Sequence, residues 1–239
     1  MTTAIETVRE IALKQPTSIR VFEKFGIDYC CGGRKPLADA CTTQNLPINS
    51  VLAALEAAAA DSAPSSEDWS KASLASLSEH IVSVHHAYVR KELLRLALLA
   101  QKVVVRHGDT RAELPEIQRT MGQLDEELIA HLAKEEAVLF PYIVRLERAI
   151  MDKAVRPKSC FGTVANPIAM MTQEHDAAGV LMATIRSLSH DFVAPEGACP
   201  TYHAFYDGLK EFEQDLHQHI HLENNILFPR AIDMEAVAS

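Results

Sequence analysis

The chain has 239 residues, a net charge of −9 and five cysteines. This length allows one large domain, or a large and a small one, with ample core. The acidic balance argues against nucleic-acid binding, which needs a basic surface, and no apolar run reaches the roughly 18 uncharged residues of a membrane span. The odd cysteine count and an N-terminus with acids in place of a signal peptide predict a cytoplasmic protein without a disulfide framework.

The first part of the chain predicts a small helical domain. Glycine is scarce and no long alternation of β-branched residues occurs, so the chain as a whole is expected to be all-α. Residues 61–70 have the Ser, Pro and Asp composition of a linker. We therefore expect a small domain at 1–60 and a larger one at 71–239. The short helices predicted before the linker cover 5–14, 18–25, 36–44 and 48–60.

The larger region predicts four long helices joined by moderate loops, which is the pattern of an antiparallel four-helix bundle. Ser76 and Glu79 have the spacing of a capping box near the start of the first helix. Pro141 predicts a kink or a break in the second helix. The four helices are expected at about 73–105, 115–150, 167–190 and 201–234.

One motif, His-x3-Glu-x3-Leu-Phe-Pro, occurs twice, at 131–141 (the first motif) and at 219–229 (the second motif). Each copy is preceded, one helix earlier, by a lone histidine. Residues four apart share a helix face, so each pair can aim an imidazole and a carboxylate at one point. Four histidines and two carboxylates are enough for two metal ions, with the carboxylates free to bridge them. The predicted ligands are His86, His131, Glu135, His175, His219 and Glu223.

Neighbouring histidines and acids compete for these roles. Of His217, His219 and His221, only His219 has an acid four residues later. His86 continues the apolar line of the first helix, but the adjacent His85 remains an alternative ligand.

Two further acids stand beside predicted ligands. Glu136 lies five residues after His131 and is rotated off the shared face, so it is expected in a supporting or surface position. Glu174 directly precedes His175. It is expected to support a ligand, to act as a terminal or transient ligand, or to be solvated.

The ligand types restrict the metal. Imidazole and carboxylate without thiolate suit iron, manganese or zinc and disfavour copper(I) or an iron–sulfur cluster. Six protein ligands leave two metals short of full coordination, so open positions for O₂, peroxide or NO are expected.

Cys30 and Cys31 stand in a glycine-rich stretch, 26–33, which predicts a tight loop. Because they lie outside the bundle in sequence, they are not expected among the resting metal ligands. We expect them to act in redox chemistry or iron transfer, from a loop that could swing toward the mouth of the bundle. Cys41, Cys160 and Cys199 are expected to be structural.

These motifs resemble those of the bacterial repair-of-iron-centres family, di-iron proteins with a hemerythrin-like bundle and an ScdA-type N-terminal domain. The stretch Asp28-Tyr29-Cys30-Cys31-Gly32-Gly33 matches the signature of the small domain, and both His-x3-Glu motifs and Glu174-His175-Asp176 match the bundle. The resemblance covers nearly the whole chain. It implies that the four histidines are terminal ligands and that Glu135 and Glu223 bridge two iron ions, with an oxo or hydroxo group between them.

The resemblance also implies a function, the repair of iron–sulfur clusters damaged by nitrosative or oxidative stress, with the protein as iron donor. Its partners would be damaged iron–sulfur proteins and NO or O₂ species. Two alternatives stay open, a di-iron reductase of NO to nitrous oxide and an NO or redox sensor. Oxygen-carrying hemerythrins have more histidines and fewer helix-paired glutamates, so reversible O₂ transport is not expected. A homodimer is compatible with the sequence.

Overall fold

The computed structural model describes residues 2–60 and 68–237, and every regular element within these ranges is a helix. The predicted all-α class is thereby confirmed. Most of the predicted linker, residues 61–67, lies outside the described residues. No helix in the described part of the chain has the length and apolar character needed to cross a membrane.

Four short helices form a small helical unit with its own apolar core around Phe22, Leu37 and Val51. Its first helix begins later than predicted, because Thr7 caps it: the Thr7 side chain accepts the Glu10 N–H, and the Glu10 carboxylate accepts the Thr7 N–H. The helices are α1 (Val8–Lys14), α2 (Ser18–Phe25), α3 (Leu37–Thr43) and α4 (Ile48–Ala60).

The remaining helices form the four long rods of the bundle, three of which contain a π-helical turn. The first rod runs antiparallel to the second, because α5 packs against α8 and α6 packs against α7. It also runs antiparallel to the fourth, because α6 packs against α10. The third rod packs against α7. The rods are α5 (Leu74–His80), π1 (Ile81–His86) and α6 (Ala87–His107); α7 (Glu113–Lys134), π2 (Glu135–Leu139) and α8 (Phe140–Met151); α9 (Ala165–Leu188); and α10 (Pro200–His221), π3 (Leu222–Leu227) and α11 (Phe228–Val237).

Of the kink or break predicted at Pro141, the break does not occur. The rod continues through the proline because π2 precedes it: the Phe140 N–H bonds to the Glu135 carbonyl, five residues back. Pro141 then falls in the first turn of α8, where a backbone N–H is not required. A π-helical turn of this kind is typical of functional sites.

Two predicted helix ends are also corrected. The first rod is capped by Ser73, whose hydroxyl accepts the Ser76 N–H, and not by a Ser76–Glu79 box. Its leading N–H groups, those of Leu74 and Ala75, donate to the Glu147 carboxylate at 2.7 and 2.9 Å. The third rod ends at Leu188, two residues early, because residues 190–192 take positive φ.

Two apolar clusters divide the bundle along its length. One includes Leu93, Leu124 and Phe212, and the other includes Leu77 and Ile143. The predicted ligands lie in the sequence between the stretches that build these clusters. The predicted ligands therefore form a polar layer with apolar side chains on both sides along the bundle. This surrounding lowers the local dielectric constant and strengthens electrostatic interactions between the ligands.

Candidate metal centre

The six predicted ligands come together in the middle of the bundle as two groups of four. Within each group, the candidate ligand atoms lie within 4.8 Å of one another. One group contains His86 and His219, the other contains His131 and His175, and both contain the two glutamates. Both carboxylates are thus placed to serve two cations. That these residues hold metal remains a prediction.

The histidines pair across the motifs. His86 Nε2 lies 3.1 Å from His219 Nε2, and His131 Nε2 lies 3.0 Å from His175 Nε2. Each pair joins one motif histidine with one lone histidine. This follows from the packing, because α6 contacts α10 and α7 contacts α9.

Three of the four imidazoles have a hydrogen-bond partner on the side away from the groups. The Nδ1 atoms of His86 and His131 lie 2.7 and 2.9 Å from the Glu136 and Glu174 carboxylates. A carboxylate accepts Nδ1–H, so this contact leaves the Nε2 lone pair of a neutral imidazole aimed inward. Glu136 and Glu174 therefore orient two of the predicted ligands.

The partner of His175 was missed by the sequence interpretation. His175 Nδ1 lies 3.0 Å from Asn224 Oδ1. Asn224 directly follows Glu223, as Glu136 directly follows Glu135. This shared position in the two motifs was the signal that could have identified it.

The shared carboxylates have an unusual environment. Glu135 and Glu223 are 0% exposed, yet both oxygens of Glu135 and Oε2 of Glu223 have no hydrogen-bond partner. Around them lie imidazole Nε2 atoms, such as that of His175 at 3.0 Å from Glu223 Oε2. Buried acceptors without donors are costly. A set of acceptors that converges on two points fits divalent cations of the iron, manganese or zinc type.

In the metal-free protein, protons take the place of cations. Burial alone would lower the pKa of His86, but the adjacent Glu135 and Glu223 carboxylates outweigh burial and raise this pKa to about 10. Burial also opposes protonation of His131, yet the attraction of Glu135 raises its pKa to about 9. For His219, burial dominates and lowers the pKa. Metal binding must expel the protons that the His86 and His131 imidazoles hold beside the carboxylates.

The competing histidines lie elsewhere. His85 is buried, with its Nδ1 atom 3.0 Å from Asp215 Oδ1 and its ring stacked on that of His219. His217 and His221 contact the Tyr29 ring of the small helical unit. None of the three belongs to either group.

The two vicinal cysteines form a compact thiol pair outside both groups. Their Sγ atoms are 3.7 Å apart, and one Asp28 oxygen accepts from both backbone N–H groups. A side chain at Gly32 would lie 2.8 Å from the Asp28 carboxylate, which explains the glycine. The hydrogen bond with Cys31, together with burial, raises the pKa of the Cys30 thiol.

The thiol loop does not swing freely in this structure. Cys30 is 6% exposed and belongs to an apolar cluster of the bundle. The carbonyl of the preceding residue, Tyr29, accepts a hydrogen bond from Asn225 of π3. The loop therefore lies against the fourth rod, and the expected swing toward the bundle mouth would have to break these contacts.

A surface cleft of about 490 Å³ lies between α7 and α9. His131 and His175 line it, together with the carboxylates Glu126, Glu127 and Glu174 and one cation, Lys134, which pairs with Glu174. Carboxylates at such a cleft attract cations.

Comparison with known proteins assigns both regions. Residues 4–59 match ScdA_N, described as a domain of unknown function, and residues 77–231 match the family "Hemerythrin HHE cation binding domain". Similar curated proteins are named "Iron-sulfur cluster repair protein YtfE". The protein of Yersinia pseudotuberculosis serotype O:1b (strain IP 31758) is 37% identical over 95% of this chain and 96% of its own length. That of Pectobacterium carotovorum subsp. carotovorum (strain PC1) is 36% identical over the same shares. These matches confirm the resemblance predicted from the motifs.

Proposed function

Because this chain belongs to the hemerythrin HHE cation-binding family and to the family of iron–sulfur cluster repair proteins named YtfE, we propose that it binds two iron ions and supplies iron to damaged iron–sulfur clusters. The observation that carries the proposal is the pair of buried four-residue groups that share two carboxylates, three of whose four oxygens lack a hydrogen-bond donor. Its targets would be cytoplasmic iron–sulfur proteins whose clusters NO or oxygen species have damaged.

The donor set supports storage of iron that can leave. His86 and His219 would hold one ion, His131 and His175 the other, and both glutamates would contact both ions. Two carboxylates neutralise only half of the charge of two divalent ions, and the imidazoles are neutral ligands. After one ion leaves, the same carboxylates balance the ion that remains. The first iron is therefore expected to leave more readily than the second.

We assign the thiol pair to iron transfer and not to storage. Cys30 and Cys31 are close enough to offer two sulfurs to one cation, but the raised pKa of Cys30 keeps its thiol protonated at rest. An iron ion would have to displace that proton, which suits brief contact. The double variant Cys30→Ser, Cys31→Ser should keep two metals and lose most repair activity. Loss of its metals would make the cysteines ligands.

The direct test is a transfer experiment with isotopic iron. The protein is loaded with ⁵⁷Fe. It is then mixed, in the presence of sulfide and reductant, with a [4Fe–4S] enzyme whose cluster has been destroyed by treatment with nitric oxide. Recovered enzyme activity, together with ⁵⁷Fe in the rebuilt cluster, is the expected result. His131→Ala should transfer less iron than wild type, whereas His203→Ala, a change at an exposed histidine of α10, should not differ.

Two outcomes would reject iron donation. One is a wild-type protein that fails to bind two irons, and the other is recovery of activity without ⁵⁷Fe in the cluster. Consumption of NO with nitrous oxide production, measured on the same sample and in the absence of transfer, would favour the reductase alternative.

A further inference from the structure

The small helical unit covers one motif and leaves the other uncovered. On the second motif, the helix face opposite His219 and Glu223 carries His217, His221 and Asn225. His221 and Asn225 are buried, and His217 is half-buried. The equivalent positions on the first motif are exposed in the structure, and they are Ile129, Ala133 and Ala137. The two motifs therefore differ in what lies behind the ligands.

Asn225 is central to the contact between the small helical unit and the second motif. It lies in π3, two residues after Glu223, and is 6% exposed. Its Nδ2 amide donates to the Tyr29 carbonyl at 3.0 Å and lies 2.9 Å from His221 Nδ1, so both N–H groups have acceptors. Removing this amide would leave the buried His221 Nδ1 without its donor and would take one donor from the Tyr29 carbonyl, which is costly.

The backbone of Asn225 is held as well. Pro229, four residues later, has no N–H to donate to the Asn225 carbonyl, as an α-helix would require. Arg9 of the small helical unit supplies a donor, with its guanidinium 3.2 Å from that carbonyl. The unit thus binds both the side chain and the main chain of one residue in the π-helical turn that carries Glu223.

We propose that the small helical unit is a clamp on π3 that holds Glu223 in its shared position, and that Asn225 is the positioning residue through which it acts. The inference rests on the proposed metal centre, since it concerns how firmly Glu223 is presented to two cations. An unclamped π3 would let Glu223 move away from both groups at once. Iron would then leave faster, while His86 and His131, whose partners Glu136 and Glu174 lie outside π3, stayed in place.

The test compares Asn225→Ala with Gln218→Ala. Gln218 belongs to the same interface, where it donates to Glu23 at 3.1 Å, but it is exposed and lies in α10 outside π3. In Asn225→Ala, the rate of iron release to a ferrous chelator should rise about tenfold, and the exchange coupling between the irons should weaken. Gln218→Ala should match wild type. Arg9→Met should shift both measurements in the direction of Asn225→Ala, by less.

A second measurement does not depend on iron. In the metal-free protein, Asn225→Ala should accelerate amide hydrogen exchange in residues 222–228 and leave exchange in α9 unchanged. Equal release and equal exchange in Asn225→Ala and wild type would overturn the clamp. Equal acceleration in Gln218→Ala would also overturn it, because general loosening of the interface would then explain the effect. A wild type that binds no iron rejects the proposed function, while the exchange measurement still decides the clamp.

Discussion

The two copies of the His-x3-Glu-x3-Leu-Phe-Pro motif present the same candidate ligands and have different neighbours. In the first, the residue after the glutamate is the charged Glu136, and the outer helix face is exposed. In the second, it is the neutral Asn224, and the outer face is buried under the small helical unit. Helix periodicity dictates the inner face of both copies, whereas packing decides the outer face.

The largest expected effect tests what the two motifs share. Glu135→Leu and Glu223→Leu each remove a carboxylate that lies in both groups, so either change should collapse the magnetic coupling between the irons and release at least one. Metal analysis and Mössbauer spectra check this. Glu211→Leu, at an exposed site on α10, is the matched control. Unchanged coupling in both variants would show that another group bridges the ions.

The next effect separates the two groups. His131→Ala and His219→Ala each remove one ligand from one group, so each should reduce the metal content toward one ion per chain. His221→Ala should retain two ions, since His221 faces Tyr29 and Asn225. Should His221→Ala abolish binding while His219→Ala keeps both ions, the ligand assignment on the fourth rod is wrong.

A smaller effect sharpens the contrast between Glu136 and Asn224. Loss of a partner that orients a ligand typically weakens metal affinity 10- to 100-fold. The loss of metal affinity in Glu136→Leu should lie toward the upper end of that range, because hydrogen bonds to a charged group are stronger. The loss in Asn224→Leu should lie toward the lower end. Competition with a calibrated chelator measures both. Arg90→Met, which removes only the ion-pair partner of Glu136, should change affinity less. The reverse order for Glu136 and Asn224 would contradict the comparison.

The smallest effect concerns pH and the metal-free protein. Folding raises the pKa of His86 to about 10 and that of His131 to about 9, so their protonated forms stabilise the fold below the unfolded value near 6.5. This stabilisation is lost as the pH rises from about 6.5 through 9 and 10. Thermal unfolding of the metal-free protein should show a falling midpoint across that window. In His86→Ala, the slope should be shallower; an equally steep slope would assign the effect to other groups.

Local patterns predicted much of this molecule. The bounds of α2 and α4 agree with the sequence prediction, because a helix with a clear apolar stripe and local end signals is specified by neighbours in the chain. The convergence of His219 and Glu223 also follows locally, since residues four apart share a face. The same spacing excluded His221, whose side chain lies on the other side of the helix.

Only the tertiary structure decided how these parts meet. The pairing of His86 with His219 depends on which rods are adjacent, and the cap that Glu147 places on α5 joins residues far apart in sequence. The second rod continues through Pro141 because of π2, a turn with one more residue than an α-helical turn. The pattern of apolar residues does not predict this extra residue. Asn225 contacts Tyr29, which lies in a different region of the chain. Helix periodicity gives no information on how these two regions pack together. Spacing along one helix is a short-range property of the chain, whereas the partners of a buried polar group are set by whichever rods pack together.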